Sequence, residues 1–156
     1  MKARTPARFV DGYLGYLLGQ ANHALYKGFD AQVRAAGLSS IEWRVLATLH
    51  DGEPLTVSQL AHEVLSKQPT VTKLVQRMGE QGWVTLLADP ADQRRTLVKA
   101  TAAGRRIARP LVDKARAHED KLLRSLGASE KTALRKLLVK LAAGEAPRSR
   151  ALPSGE

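Results

Sequence analysis

Cysteine is absent from this 156-residue chain, which excludes disulfides and thiol-based redox sensing. Aromatic residues are scarce, at two Trp, three Tyr and two Phe. No stretch approaches the ~20 consecutive apolar residues of a membrane-spanning helix. The N-terminus, Met1 to Arg8, is basic, but the following segment is interrupted by Asp11, Gln20 and Asn22, so it does not read as a signal peptide. The expected location is the cytoplasm, with no membrane partner. Motifs of catalysis are missing too. There is no nucleophile elbow, P-loop or dinucleotide fingerprint. The four histidines, at 23, 50, 62 and 118, lack a short ligand spacing such as H-x-x-x-H. The expectation is a protein that is not an enzyme, with no metal and no cofactor.

Acid is also in short supply. The chain has 15 Asp and Glu against 25 Lys and Arg, a formal charge of +10. Such a surplus favours a polyanionic partner, nucleic acid before an anionic membrane surface. It is unevenly spread. Between Val64 and Pro110 nine basic residues face only Glu80, Asp89 and Asp92.

Apolar periodicity organises the chain. Phe9, Tyr13, Leu17, Ala21, Leu25 and Phe29 recur every four residues, which predicts one long helix from Phe9 to Ala36, closed at Gly37. Ser39-Ser40-Ile41-Glu42 and Thr56-Val57-Ser58-Gln59 have capping-box spacing. They start a second helix with Ile41, Val45, Leu46 and Leu49 inward, and a third, short one with Leu60, Ala61 and Val64 inward. Ser66 introduces a fourth helix, with Pro69 in its first turn and an apolar stripe of Val71, Leu74, Val75 and Met78. Trp83 to Ala100 reads as two strands joined by a loop. Thr101 caps a long helix carrying Ile107, Leu111, Ala115, His118 and Leu122, which Pro110 should kink near Arg106. Gly127 breaks it, and Ser129 caps a last helix with Leu134, Leu137, Leu138 and Leu141. Residues 144–156 have the composition of a disordered tail.

The third and fourth helices form a helix-turn-helix pattern. Opposite its apolar stripe the fourth helix carries Gln68, Thr70, Thr72, Lys73, Gln76 and Arg77, after Ser66 and Lys67. Gln suits adenine, Thr a thymine methyl, Lys and Arg a phosphate or guanine. The hairpin tip follows with Arg94 and Arg95, suited to phosphate or a minor groove. Asp92 is placed to hold a guanidinium in position. Helix pair and hairpin together make a winged helix. The fold class is mainly α (α+β): a winged helix-turn-helix head over 39–100 with flanking dimerisation helices over 1–38 and 101–143. Those flanking helices carry apolar stripes that must be buried, by each other or across a two-fold interface. The aromatics Tyr13, Tyr16, Tyr26 and Trp43 are either core or the lining of a cavity for a small aromatic ligand. His23 would join His118 if the first and fifth helices meet.

Asp89-Pro90-x-Asp92-x-Arg94-Arg95, then Val98 and Thr101-x-x-Gly104, resembles the wing signature of the MarR family of bacterial transcriptional regulators. Ser66 to Val75 resembles that family's recognition helix. The resemblance spans about Phe9 to Ala143. It implies a homodimer built from the terminal helices, a double-stranded palindromic DNA operator, and a small aromatic effector bound between dimer region and head. Repression with ligand-dependent release is the expected mechanism, with Ser66, Lys67, Gln68, Thr70, Thr72, Lys73, Arg77, Arg94 and Arg95 toward DNA. Tyr13, Tyr16, His23 and Trp43 are the expected ligand residues. Two rivals remain at this point: an architectural nucleic-acid-binding protein of low sequence specificity, and an enzyme that borrowed the fold.

Overall fold

A computed structural model describes residues 8–144. Of the expected tail over 144–156, residues 145–156 lie outside the described residues. The chain divides into two compact units, one ending at Glu119 and one beginning at Asp120.

The first unit opens with three helices where the periodicity predicts one: α1 (Phe9–Gly12), α2 (Leu14–Lys27) and α3 (Asp30–Ala35). Tyr13 leaves helical geometry at φ −78°, ψ 117° and separates the first two. The second break falls at Gly28, where a Cβ would sit 2.9 Å from His118 Cε1. The four-residue apolar spacing survives both interruptions, which is why it reads as continuous. Gly37, at φ +78°, closes α3. Leu38 N–H then donates back to the Val33 carbonyl at 3.2 Å, the bonding of a glycine-stopped helix.

Both capping boxes form. Ser39 Oγ accepts from Glu42 N at 3.3 Å at the start of α4 (Ser40–Leu49). Thr56 Oγ1 accepts from Gln59 N at 3.2 Å at the start of α5 (Val57–Glu63). A two-residue strand, β1 (Leu55–Thr56), precedes α5; it is too short for any alternation to announce it. The turn after α5 holds Leu65 at φ +53°. Then α6 runs from Gln68 to Glu80 with Pro69 in its first turn and Lys67, not Ser66, as the N-terminal cap.

Strands β2 (Val84–Asp89) and β3 (Asp92–Ala100) form the hairpin, and β1 adds to the far side of β3, giving the antiparallel order β1-β3-β2. The pairing shifts between Ala88 and Asp89, which re-aims the tip. Helix α7 (Ala102–Leu122) runs through Pro110 without interruption. Leu46, Leu49, Leu60, Val71, Val75, Met78, Val98 and Leu111 are buried together. The core therefore joins α4, α5, α6, the sheet and α7.

In the second unit a short 3-10 turn (Leu123–Ser125) leads to α8 (Ala128–Ala143). Its cap is Gly127, not Ser129: Gly127 N–H donates to Glu130 Oε2 at 2.7 Å. The leucines expected to be buried are open to solvent, with Leu137 64% and Leu141 52% exposed.

Candidate nucleic-acid interface and ligand cavity

Helix α6 buries Val71, Leu74, Val75 and Met78 and thereby turns its other face outward. Lys67, Gln68, Thr70, Lys73 and Gln76 are all exposed on that side; Ser66 and Thr72 are half-buried. Thr72 donates its hydroxyl to the Gln68 carbonyl at 2.9 Å, leaving its methyl and oxygen lone pairs for a partner. Ser66 is anchored through its N–H on the Ala61 carbonyl at 2.9 Å.

Arg77 is exposed as well and also reaches back toward the core. Its Nη2 donates to Glu42 Oε1 at 3.0 Å, across to α4. Glu42 is buried. Burial alone pushes its carboxyl up. Hydrogen bonds from the Ser39 backbone and hydroxyl and from Arg77 outweigh that and hold the carboxyl below its ordinary range. Glu42 is legible in sequence only as a capping residue; nothing local announces a partner 35 positions away.

At the wing tip Asp92 organises both arginines. Its Oδ1 accepts from Arg94 N at 3.1 Å and Arg94 Nε at 3.0 Å, and its Oδ2 lies 3.5 Å from Arg95 Nε. The Arg94 hydrogen bonds, side chain before backbone, hold the Asp92 carboxyl below its usual range. Both guanidiniums remain largely open to solvent. The tip thus presents two exposed cations, Arg94 hydrogen-bonded to Asp92 and Arg95 paired with it at longer range.

A cavity of about 530 Å³ lies between α2, α4 and α7. Leu25, Phe29, Trp43, Val112 and Ala115 make its apolar wall, and Asn22, His50, Asp51, Arg116, His118 and Glu119 its polar part. A second lobe of about 360 Å³ shares Tyr26, Phe29 and Trp43 and reaches Arg44 and Leu65. Phe29 meets Trp43 edge-on at 5.4 Å and stacks on His118 at 6.4 Å. His50 Nδ1 and His118 Nε2 are buried without a hydrogen-bond partner among the described residues.

Of the expected ligand residues, Trp43 lines this cavity; Tyr13, Tyr16 and His23 do not. Tyr13 stacks on Phe9 at 4.9 Å instead, and Tyr16 and His23 are exposed. Asn22 and Tyr26, on the same helix α2 as Tyr16 and His23, line the cavity together with Phe29; Phe29 is buried, and the other two remain exposed at its rim. His118 was signalled by its position on the apolar stripe of α7, three residues from Ala115. His50 carries no such mark.

The fold and these two sites define a winged helix-turn-helix regulator with a ligand-sized cavity. The sequence model of the MarR family matches residues 36–95. A MarR family transcriptional regulator from Silicibacter pomeroyi DSS-3 is 40% identical, with a TM-score of 0.74, over 86% of this chain and 98% of that one. The chain belongs to the MarR family of transcriptional regulators. The repressor NicR of Pseudomonas putida is 29% identical over 85% of this chain and 84% of its own length. NadR, solved in complex with 4-hydroxyphenylacetate, is 26% identical with a TM-score of 0.79, over 88% of this chain and 98% of that one. The Silicibacter protein and NicR are both described as transcriptional regulators. Among the described residues no helix is long and apolar enough to cross a membrane.

Proposed function

We propose that this protein is a homodimeric repressor that reads a two-fold operator and leaves it when a small aromatic acid fills the cavity. The observation that carries the DNA reading is the pairing of the exposed Gln68–Thr70–Lys73 face of α6 with a wing whose Arg94 and Arg95 are paired with Asp92. Gln68, Thr70 and Thr72 are the base readers. Ser66, Lys67, Lys73, Arg94 and Arg95 hold phosphate or groove. The head is 39–100. The exposed leucines of α8 and the apolar positions of α2 (Leu14, Leu17 and Leu25) supply the dimer surface, and each head takes one half-site about 34–36 Å from the other. The protein acts in the bacterial cytoplasm, where its operator is.

NicR's description as a repressor supports the direction of control. NadR's ligand supports the class of effector, as do an apolar aromatic wall and two histidine nitrogens without partners among the described residues. A cavity of this size is ample for a one-ring acid. Genomic footprinting of the purified protein, followed by competition with unrelated duplex, tests the reading. A repressor of this kind exceeds its own non-specific affinity by ~10³ or more. A ratio near one would instead favour the architectural reading that the charge of +10 suggests.

A further inference from the structure

We propose that Glu42 is a positioning residue for DNA reading, acting through Arg77; the inference rests on the operator-binding role above. Glu42 is the one charged side chain among the buried residues of the described core, at 6% exposed. One of its oxygens has an ordinary task. Oε2 accepts from Ser39 N and Ser39 Oγ, both at 2.8 Å, and closes the capping box of α4. That task needs neither charge nor burial. The chain performs it again at α5 with a glutamine, whose Oε1 accepts from Thr56 N at 2.9 Å at the surface. The negative charge of Glu42 is therefore explained by its other oxygen, which receives Arg77 at 3.0 Å.

Arg77 lies one helical turn beyond Lys73 on α6, past the residues that face DNA. Helix α6 packs chiefly on α5 and on β2. The Glu42–Arg77 bond adds a directional tie to α4 near the C-terminal end of α6. The buried Val71, Val75 and Met78 anchor one side of α6, and the tie at Arg77 adds an angular restraint toward a third element. A charged hydrogen bond with a fixed buried acceptor restrains the rotation of α6 about its axis. The rotation decides which way Gln68, Thr70 and Thr72 point, one to three turns away. Arg77 thus sets the aim of the readers and is not itself a phosphate ligand.

The two roles separate by salt dependence. A phosphate contact, when removed, flattens the slope of log affinity against log salt by about one unit. A positioning residue, when removed, lowers specific affinity and leaves that slope alone. The experiment uses the full chain and an operator duplex identified by footprinting. It compares E42Q, R77Q, the double variant and K73Q, with thermal melts alongside. Glutamine keeps the cap, as Gln59 does, so E42Q retains α4. R77Q changes a half-exposed residue and gives an independent route to the same loss.

E42Q and R77Q are each expected to weaken operator binding about tenfold, the double variant no further than either alone. Affinity for unrelated duplex and the salt slope stay unchanged in all three, while K73Q flattens the slope. R77K, which keeps the charge, restores part of the loss. A slope flattened by R77Q would overturn the inference and make Arg77 a phosphate contact. Operator binding that is unchanged or tighter in E42Q would overturn it as well. Wild-type protein with no operator preference would sink the operator reading itself and this inference with it; that result is visible before any variant is made.

Discussion

Gly104 sits beneath the backbone carbonyl of Trp83 so closely that a Cβ would overlap the carbonyl oxygen. Thr101, three residues earlier, donates its hydroxyl to the Gly82 carbonyl at 2.6 Å and accepts from Gly104 N at 3.0 Å. The Thr-x-x-Gly element is therefore the joint that fixes the first turn of α7 against the start of the wing. Gly104→Ala forces backbone apart in a packed core and should cost about 1–3 kcal/mol. Thr101→Ala removes a cap and should cost about 0.5–2 kcal/mol, whereas Thr101→Ser should be milder. Urea unfolding of the three variants checks the order. Gly104→Ala melting with the wild type would show that α7 can slide at this joint.

Asp92→Asn tests the wing. By charge alone the change strengthens DNA binding, because it removes an anion beside the phosphates. By geometry it weakens binding. Asp92 holds Arg94 through three contacts and lies against Arg95. A released arginine must lose up to ~1.5–2 kcal/mol of side-chain entropy when it meets DNA. Repulsion from one exposed carboxylate is screened over ~8 Å at physiological salt. The expected result is weaker operator binding at ~0.15 M salt with an unchanged melting temperature. A titration showing tighter binding would reject the bracing role.

Glu42 gives a pH signature. Its folded-state carboxyl is held below the ordinary value of 4.5. Its contribution to stability is therefore fully present above that value and is lost as pH falls through the folded one. Wild type and Glu42→Gln should differ in stability at pH 7, and the gap should narrow at acid pH below about 4.5. Melting curves from pH 7 to pH 3 measure it. A gap that stays constant over that range would mean that the Arg77 bond does not depend on the Glu42 charge.

The head was legible because its signals are local. Two capping boxes, Pro69, Gly37 and Gly82 punctuate it, and each acts within four residues of its own position. The wing was legible from the charge and turn chemistry of Asp89 to Arg95. What the sequence hid depends on distance. The Glu42–Arg77 pair joins two helices, and the break at Gly28 falls where the chain passes close to His118, much later in sequence. The cavity suffered most. Tyr26 and Trp43 are among the few aromatics that the sequence offers for a cavity, but which face of α2 turns toward Trp43 and Phe29 is decided by packing between distant segments, and that face carries Asn22 and Tyr26 rather than Tyr16 and His23.

Removal of α8 addresses the assembly. Leu134, Leu137, Leu138 and Leu141 are all exposed in the single chain, and four exposed leucines on one helix are a poor surface for a monomer. A chain ending at Gly127 should be monomeric or aggregated by light scattering. It should also bind one half-site only, with the loss of affinity expected when a linked second head is absent. A truncated protein that remains a tight dimer would move the interface away from α8.

His118 separates a structural from a ligand-binding histidine. Its Nε2 is buried without a partner among the described residues, in the wall of the larger cavity. A buried polar atom that lacks a partner costs stability, and replacing it by an apolar group of similar size is close to neutral or stabilising. Methionine suits the site, because an unbranched chain adapts to the slot between Gly28 and Phe29. His118→Met should therefore unfold within about 0.5 kcal/mol of the wild type. If an aromatic acid supplies the missing partner, the same variant should bind it more weakly. One hydrogen bond to a charged group is worth about 1.5–3 kcal/mol, so the loss should be tenfold or more. Trp43 lines the same cavity, and its fluorescence during titration with 4-hydroxyphenylacetate reports occupancy, with Trp43→Phe to subtract the signal of Trp83. Marked destabilisation of His118→Met with unchanged acid binding would make His118 a packing residue and direct the search for the acid's partner to His50, Arg116 or Arg44.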